Sequence, residues 1–434
     1  MATPHAPAAS MNAASRRVRN VYLLLAVLVW LPTSLIVGVN TLFLLDGGLS
    51  NVQAFAANAF YTAGVAIFEL PTGMVADTYG RRTSFLLGVA VQLAGNLMYV
   101  GCWYTHAPFA AWAVASVVLG IGYTFFSGSL EAWLVDNIHA AGYQGELDPI
   151  FARAQVLNGS AMLVGAVAGG FVAQLTSYGV PYLVRCALQL GSFVLAFVLM
   201  KEVAFTPSKT KLVTQIKDLG RAALRYGLGE RPVRWVLLAA PFYMGTGIYG
   251  FYAAQPYLLE LFGKPKAIGV AGIAAAVIAG TQIAGGFAVP FVARRFGKRT
   301  SLLLAGAVLT VVSLALIGVI HHFVVVVALL VLWAMASAAC VPVRQAYLNA
   351  LVPAQQRATV LSFDSMVSSC GGVAFQPVLG RVADTAGYAA SYLVSAGIAC
   401  VSLPLLFLAR REKVSEDAIT AADRSGDKPP EPGA

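Results

Sequence analysis

The chain is a series of long apolar segments separated by short polar connections. Twelve such segments can be marked out, at residues 20–45, 51–74, 82–104, 108–136, 147–175, 179–202, 233–261, 267–293, 299–320, 323–350, 355–382 and 387–409. Each contains the roughly 20 residues that a helix needs to cross a bilayer. Their apolarity is continuous, whereas the strands of a membrane barrel would alternate at a period of two. The pattern predicts an all-α membrane protein with twelve transmembrane helices.

One long polar linker divides these spans into six and six. Within it Leu212, Ile216, Leu219 and Ala223 recur at helical spacing among basic residues, which predicts an amphipathic helix on the cytoplasmic surface. The first 15 or so residues are rich in Ala, Pro and Ser, the tail after Arg411 is charged and Pro-rich, and both ends are predicted to be disordered. The predicted organisation is therefore an N-terminal tail (1–19), a six-helix bundle (20–202), the linker (203–232), a second six-helix bundle (233–409) and a C-terminal tail (410–434).

Composition and charge support this topology. Of the 434 residues 58% are hydrophobic and 11% are charged, against about 25% charged in a soluble domain. Among the 29 Lys and Arg, Lys264, Lys266 and Arg381 lie in external connections, while Arg153, Arg185 and Arg344 lie within spans. The other 23 lie in predicted cytoplasmic loops and tails. By the positive-inside rule both termini are cytoplasmic, so the net charge of +10 reflects topology and not nucleic-acid binding.

No cleaved leader is indicated, because the span that follows Arg16-Arg17-Val-Arg19 is too long for the core of a signal peptide. The expected location is therefore a cell (inner or plasma) membrane, with the chain crossing it many times. The five cysteines are odd in number and widely spaced, so they indicate neither a disulfide framework nor a metal cluster. Nucleotide-cradling, zinc-protease and serine-hydrolase motifs are missing from the sequence. We therefore expect no catalytic residue, metal or cofactor.

The most specific motif follows the second segment and reads Gly73-Met-Val-Ala-Asp77-Thr-Tyr-Gly80-Arg81-Arg82. Gly73 permits close helix approach, Gly80 permits a sharp turn, and Asp77 offers a carboxylate to a helix N-terminus or a cation. The two arginines anchor the loop at the cytoplasmic face. A chance turn with cytoplasmic arginines is the alternative. In this position the pattern Gly-x-x-x-Asp-x-x-Gly-Arg-Arg resembles the loop signature of the major facilitator superfamily of secondary transporters.

The resemblance implies two parallel six-helix halves that rock around a central site, with the loop as a cytoplasmic gate. By resemblance, Arg81 or Arg82 pairs with Asp136 at the end of the fourth span. Asp77 then faces the start of the eleventh span, around Arg357. The alternative is a set of exposed ion pairs worth about 0–1 kcal/mol.

Three matches between the halves support the repeat. Thr83-Ser84 matches Thr300-Ser301, residues 129–136 match 342–349, and residues 165–169 match 376–380, at offsets of 217, 213 and 211. In the second copy of the loop Pro290 and Arg294 replace Gly73 and Asp77. The two copies of the cytoplasmic loop are therefore unequal as gates. Asp77→Asn is expected to cripple transport, whereas Arg294→Ala should have a mild effect.

Charged residues inside predicted spans cost roughly 2.5–3.5 kcal/mol each at the bilayer centre, so each needs a partner or a wet cavity. The repeat predicts the pairs Glu131–Arg153 and Arg344–Asp364, one in each half. Protonation of either acid would couple a proton to the conformational switch; alternatively the pairs only brace adjacent helices. Glu69 is a third candidate for proton coupling. Alternatively, it forms a hydrogen bond with the backbone group that loses its helical partner at Pro71.

The resemblance also implies a cavity lined by the first, fourth, seventh and tenth spans. Its candidate polar residues, each of which could instead make a helix contact, are Asn40, Tyr123, Tyr249, Tyr252 and Gln255. The otherwise apolar surface favours a lipophilic substrate. A small-residue run from Ala161 to Gly170 resembles the glycine-rich signature of drug–proton antiporters. Ala166 stands where those proteins carry proline, and the fourth span lacks their arginine, which leaves the export direction open.

The predicted function is proton-coupled efflux of a small, partly apolar, drug-like compound by alternating access. Proton-coupled uptake of a small metabolite is the alternative, and a non-transporting receptor or scaffold is a further one. A channel fits less well, because the loop gate implies two exclusive states. The expected partners are the small-molecule substrate, protons and the lipid bilayer, with the protein acting as a monomer and without nucleic acid.

Overall fold

The computed structural model describes residues 11–126, 128–203, 205, 220–221, 223–264, 267–293, 295–353 and 356–419. Its N-terminal half contains α1 (Ala13–Val37, continued by Asn40–Asp46), α2 (Asn51–Tyr79), α3 (Arg81–Thr105), α4 (Phe109–Phe126, continued by Ser129–Ala140), α5 (Asp148–Leu175) and α6 (Gly179–Leu199). Its C-terminal half contains α7 (Arg231–Phe262), α8 (Ile268–Ala293), α9 (Arg299–Val319), α10 (Phe323–Leu351), α11 and α12. The last two share the helical stretch Arg357–Cys400, and Ser402–Arg411 continues α12. A π-helical turn (Ala223–Leu228) precedes α7, and a 3-10 turn (Ser415–Asp417) follows α12.

Among the described residues, ten helical stretches are long and apolar enough to cross a membrane. One of them, Thr359–Arg411, has 53 residues, more than twice the roughly 20 that one crossing needs. Gly387, with φ 84° and ψ 168°, divides it into α11 and α12, a conformation that glycine adopts without steric cost. Together with α8, whose apolar part is Ile268–Gln282, this yields twelve crossings. The predicted all-α fold with twelve spans is confirmed.

The outer surface of the bundle is apolar. Val164, Leu175 and Val324 are 64%, 80% and 64% exposed, and many other large apolar side chains point outward in the same way. Such a surface would be unstable in water, but a bilayer is as apolar as these side chains. Exposed apolar side chains on the perimeter of the bundle therefore face lipid, whereas Tyr123 and Val341 line cavities.

Small residues allow the helices to cross closely. On α5, a side chain at Gly169 would collide with the backbone of Leu35 on α1. At the next position of the same helix, a Cβ at Gly170 would lie 2.8 Å from the Cα of Gly272 on α8. The small-residue run of α5 therefore packs one half internally and also brings the two halves into contact.

The tails differ from the prediction where they are described. Helix α1 already begins at Ala13, because the Asn12 side chain accepts a hydrogen bond from Ser15 N at 2.8 Å and caps it. After α12, Asp417 is 1% exposed and accepts from both Thr300 N at 2.8 Å and Thr300 Oγ1 at 2.7 Å. Residues 13–19 and 412–419 are thus ordered, because polar contacts at helix ends hold them.

Several predicted features lie outside the described residues. These are the linker positions Leu212, Ile216 and Leu219, the external Lys266, the loop residue Arg294, the side chain of Pro290, and the chain ends 1–10 and 420–434.

Candidate functional site

The two halves are joined on the external side by hydrogen bonds between α1 and α7. Thr41 N donates to Gln255 Oε1 at 2.8 Å, and Gln255 Nε2 donates to Val37 O at 2.7 Å. Thr41 Oγ1 also donates to Tyr252 O at 3.0 Å. The break in α1 between Val37 and Asn40 leaves backbone groups without helical partners, and the amide of Gln255 satisfies two of them.

Two further contacts cap one half with a side chain of the other. Asp384, near the outer end of α11, accepts from the backbone N–H groups of Asn51 and Val52 at 2.9 Å each, at the start of α2. Gln174, at the outer end of α5, accepts from Gly269 N at 2.8 Å, at the start of α8. Free N–H groups and the helix dipole make a helix N-terminus a favourable place for such oxygens. The external side is therefore closed by helix capping across the two halves.

All the hydrogen bonds between the halves that the structure describes lie in the outer part of the molecule. Toward the cytoplasmic side, the C-terminal half contains a cavity of about 300 Å³ between α7, α9, α10, α11 and α12. Its walls are mostly apolar, with a polar stripe of Tyr243, Arg344, Gln345, Asp364, Ser365, Ser368 and Ser369. The two halves are therefore joined on the external side of the membrane, and the C-terminal half contains a cavity toward the cytoplasmic side.

Arg344 and Asp364 form a two-pronged ion pair on the wall of this cavity. Nη1 donates to Oδ2 at 2.6 Å, and Nη2 donates to Oδ1. The two side chains are 18% and 9% exposed. A fork of this kind is the strongest form of ion pair, because both guanidinium donors meet both carboxylate oxygens. The pair links α10 to α11.

The N-terminal half has a smaller recess of about 70 Å³. It is lined by Leu28, Val29, Trp30, Thr33, Tyr61, Val89, Gln92, Tyr123, Phe126, Arg185, Gln189 and Ser192. Arg185 is 6% exposed, and its Nη2 donates to Gln92 Oε1 at 3.1 Å. Its buried Nε has no acceptor among the residues that the structure describes. This recess therefore contains a buried cationic side chain with few protein partners.

The structure brings together one of the two predicted charge pairs. Arg344 and Asp364 are in contact, as described. Glu131 and Arg153 are both exposed, and the described residues show no ion pair between them. Glu69 is half-buried, and no described hydrogen bond joins its carboxylate to the backbone near Pro71. Glu69 and Glu131 instead lie within electrostatic range of the Tyr123 hydroxyl.

The predicted cytoplasmic gate is not assembled in this conformation. Arg81 pairs with Asp77 of its own loop at 2.7 Å, and Arg82 donates to Phe197 O at 2.8 Å while stacking on its ring. Neither arginine is seen in contact with Asp136, which is half-buried on α4. The carboxylate that meets this loop is Glu202, which accepts from Arg81 N at 2.6 Å.

The remaining gate residues have separate surroundings. Gly80 has φ 98°, which favours glycine, and it lies against Glu202. Gly73 is exposed, and a Cβ added there would meet nothing within 4 Å, so it makes no close helix contact in this state. Arg357 donates to Val352 O at 3.3 Å, within its own half. At the cytoplasmic ends of the helices the described residues show no hydrogen bond or ion pair between the two halves.

Three of the five predicted cavity residues belong to other parts of the molecule. Asn40 is buried between Asn58 and Tyr182, accepting from the Tyr182 hydroxyl at 2.8 Å, and Gln255 belongs to the external closure. Tyr249 is buried and donates to Ser391 Oγ at 2.6 Å. For these three residues the predicted cavity role is corrected, because their polar groups form hydrogen bonds to neighbouring helices. Tyr123 lines the N-terminal recess, whereas Tyr252 is half-buried and its carbonyl accepts from Thr41.

Sequence reasoning missed several residues that the structure makes prominent. Glu202, Asp384 and Asp417 each accept hydrogen bonds from the backbone at a helix start, and their sequence signal is only an acidic residue near a predicted span end. The Arg185–Gln92 contact joins α6 to α3 across 93 positions. The buried charge of Arg185 was visible in the sequence, but its neighbours were not.

Many secondary active transporters are built from two repeated six-helix halves. The sequence profile of the Major Facilitator Superfamily matches residues 22–290 and 267–431. The chain belongs to the Major Facilitator Superfamily. It is therefore a multi-pass membrane transporter and not an enzyme.

Known proteins similar to this chain agree with the family. An uncharacterised MFS-type transporter of Bacillus subtilis, YxaM, is 22% identical over 375 residues, covering 82% of this chain and 86% of that protein. The alpha-ketoglutarate permease of the same organism is 27% identical over 92 residues, 21% of each chain.

Solved structures share the fold at low sequence identity. A point mutant of the nucleoside transporter NupG has a TM-score of 0.77 at 13% identity, covering 92% of this chain and 100% of that one. A bacterial homologue of the human lysosomal transporter Spinster, in an inward-facing and occupied conformation, has a TM-score of 0.72 at 14% identity, covering 95% and 100%. A D-xylose–proton symporter has a TM-score of 0.66 at 15% identity, covering 91% and 97%.

Proposed function

We propose that this transporter couples the export of a small, partly apolar compound to proton movement by alternating access, acting as a monomer. The observation that carries the proposal is the Arg344–Asp364 pair on the wall of a mostly apolar cavity on the cytoplasmic side of the C-terminal half. The pair links α10 to α11, so its state affects the shape of the cavity. Apolar walls suit a compound with an apolar body.

A proton on Asp364 would remove one charge of the pair. Arg344 would then be a partly buried cation without its counter-charge, which is costly in a low-dielectric site. The energetic balance between two arrangements of α10 and α11 would shift, and this is the differential interaction that a coupled switch requires. Glu69 and Glu131, near Tyr123, are further candidates for proton uptake, and Arg153 for a charge that responds to it.

We propose that the transporter also adopts a second conformation, in which the loop of residues 73–82 closes the cytoplasmic face of the molecule. In that state Arg81 or Arg82 would meet Asp136, and Asp77 would meet the start of α11 near Arg357, with Gly73 and Gly80 allowing the approach. The present arrangement is compatible with this, since Asp77 and Arg81 already lie together at the cytoplasmic ends of α2 and α3.

Uptake of a small metabolite is the second candidate function. It is supported by the similarity of 92 residues to a protein named alpha-ketoglutarate permease and by the fold shared with a D-xylose–proton symporter. Export and uptake use the same architecture and differ in the direction of net flux. Whole cells distinguish them: export lowers the accumulation of hydrophobic toxins and raises resistance, whereas uptake accumulates a labelled nutrient.

Proton coupling is tested in proteoliposomes that contain a trapped pH-sensitive dye. A panel of lipophilic compounds and small metabolites is added under an imposed pH gradient, and proton movement is recorded for each compound. The wild type and the matched control Glu260→Gln, an exposed carboxylate at the outer end of α7, should show compound-dependent proton flux. Asp364→Asn should lower it at least tenfold.

Two outcomes would contradict the proposal. Undiminished coupled flux in Asp364→Asn would assign the proton to another group. Saturable binding of a compound without flux of that compound or of protons would favour a receptor that uses the transporter fold.

A further inference from the structure

Arg185 of α6 is the buried cation of the N-terminal recess, and the described residues provide no acid to pair with it. It is surrounded by tyrosines, among them Tyr61, Tyr182 and Tyr252, and the described residues show no ion pair to its side chain. A charge placed at such depth without a counter-charge is costly. By contrast, Arg344 in the other half has its own aspartate. An anionic group from outside the chain would therefore stabilise Arg185.

The guanidinium also has donors to spare. An arginine carries five N–H donors, and the described structure shows one hydrogen bond from this side chain to protein, from Nη2 to Gln92 Oε1. Nε is buried without an acceptor. Gln92 is itself held in place, because its Nε2 donates to Leu119 O at 2.9 Å. The arginine is thus positioned from one side, while the remaining donors stay available.

The recess beside Arg185 limits what can bind there. Its volume of about 70 Å³ is about a quarter of the 300 Å³ of the C-terminal cavity and well below the roughly 300–1,000 Å³ of pockets for drug-sized ligands, so it suits a small head group and not a whole drug-like molecule. Its other walls include Leu28, Trp30 and Phe126, which are apolar. One cation in an apolar recess of this size balances one negative charge, because a second charge would be left unpaired.

We propose that Arg185 binds the single negative charge of the transported compound, a carboxylate or similar monoanionic head group carried on an apolar body. This assignment rests on the proposed transport function and narrows its substrate class. Tyr61 and Tyr123, whose ring centroids are 6.3 Å apart, line the same recess and provide hydroxyl groups beside an aromatic surface. The apolar body extends toward Tyr123, which is 44% exposed at the mouth of the recess.

The proposal is tested by ligand binding to the purified protein, without flux or a pH gradient, so that failure of transport and failure of the anion site are separable. Thermal stability in detergent is measured against increasing benzoate, benzyl alcohol, benzylamine and phthalate, which share one ring and differ in charge. Chloride at equal ionic strength is the inorganic arm. Benzoate should raise the melting temperature in a saturable way, and the neutral, cationic and dianionic probes should not.

Variants assign the effect to the residue. Arg185→Gln should weaken the apparent benzoate affinity at least tenfold, and Arg185→Lys should weaken it less, because charge is kept but the planar fork is lost. Lys264→Gln, at an exposed cation on the external side, is the matched control and should bind benzoate as the wild type does. Size-exclusion profiles and ligand-free melting curves establish that each variant is folded. If Arg185→Gln does not fold, the comparison is made with Arg185→Met, which removes the buried charge altogether.

Three results would overturn the assignment. Equal stabilisation by benzylamine or benzyl alcohol would show that charge is not recognised. Equal stabilisation by chloride would indicate a general inorganic-anion site. Unchanged benzoate affinity in the Arg185 variants, or no response of the wild type to benzoate, would leave Arg185 as a structural residue of the helix bundle.

Discussion

The cavities of the two halves contain the same cationic group in opposite circumstances. In the C-terminal half Arg344 meets Asp364 through a two-pronged ion pair inside a cavity of about 300 Å³. In the N-terminal half Arg185 is more deeply buried, borders a recess of about 70 Å³, and is held by Gln92. A pair internal to the protein can change with one proton, whereas an unpaired cation needs a ligand. Under the two proposals above, the Arg344–Asp364 pair of the C-terminal half would respond to protons and Arg185 of the N-terminal half to the substrate.

The largest expected effect is on the free energy of unfolding, when each of the two arginines is replaced in turn. Arg344→Gln should destabilise the protein by roughly 3 kcal/mol, because removal of one partner leaves Asp364 as an uncompensated, mostly buried charge. Arg185→Met should leave the stability of the ligand-free protein unchanged or raised, because it removes a buried charge that lacks a counter-charge. Reversible unfolding in mixed micelles measures both.

A double-mutant cycle is the control for the first of these. Arg344→Gln combined with Asp364→Asn should be less destabilising than the sum of the single changes, because each removes the reason for the other's cost. Additive effects, or a loss of stability in Arg185→Met as large as in Arg344→Gln, would show that the two arginines are equivalent braces.

The second comparison is between the caps that close the external side. Asp384 of the C-terminal half offers a charge and accepts two N–H groups from α2, whereas Gln174 of the N-terminal half is neutral and accepts one from α8. Asp384→Asn should weaken external closure by roughly 1.5 kcal/mol, about a tenfold shift in population, since a capping group typically contributes about 1 kcal/mol and a charged one more. Gln174→Ala should shift it less.

Distances between spin labels on the outer ends of α2 and α11, and of α5 and α8, report this shift. Asp384→Asn should add a longer distance that the wild type populates weakly. Unaltered distance distributions in both variants would mean that the glycine crossing of α5 and α8, and not the caps, holds the external side shut.

The smallest expected effect concerns the acidic residues that follow the sixth helix of each half. Asp417 is 1% exposed and accepts two hydrogen bonds from Thr300 at the start of α9, whereas the half-buried Glu202 accepts one from Arg81 N at the start of α3. Asp417→Asn should cost roughly 1 kcal/mol and Glu202→Gln about half as much. The melting temperatures of the two variants measure these losses of stability. A loss in Glu202→Gln as large as in Asp417→Asn, or larger, would show that burial does not strengthen the contact.

Some parts of the site followed from the sequence and others did not, for identifiable reasons. The internal repeat paired Arg344 with Asp364, and the structure brings them together. The same reasoning paired Glu131 with Arg153, yet both side chains are exposed and apart, because an offset along the chain says nothing about rotation of a helix about its axis. Asn40 and Gln255 looked like cavity residues, but each is consumed by a hydrogen bond to a distant helix.

The sequence by itself determined the number of membrane crossings, the orientation of both ends and the superfamily. A bilayer requires continuous apolar stretches about 20 residues long and sorts basic residues to the cytoplasmic side, so both rules can be read locally. The tertiary structure alone decided which side is closed, which polar groups face a cavity, and which buried arginine has a partner. Those outcomes depend on helix rotation and on backbone N–H groups exposed at helix ends. They are set by contacts between residues such as Asn51 and Asp384, which lie 333 positions apart.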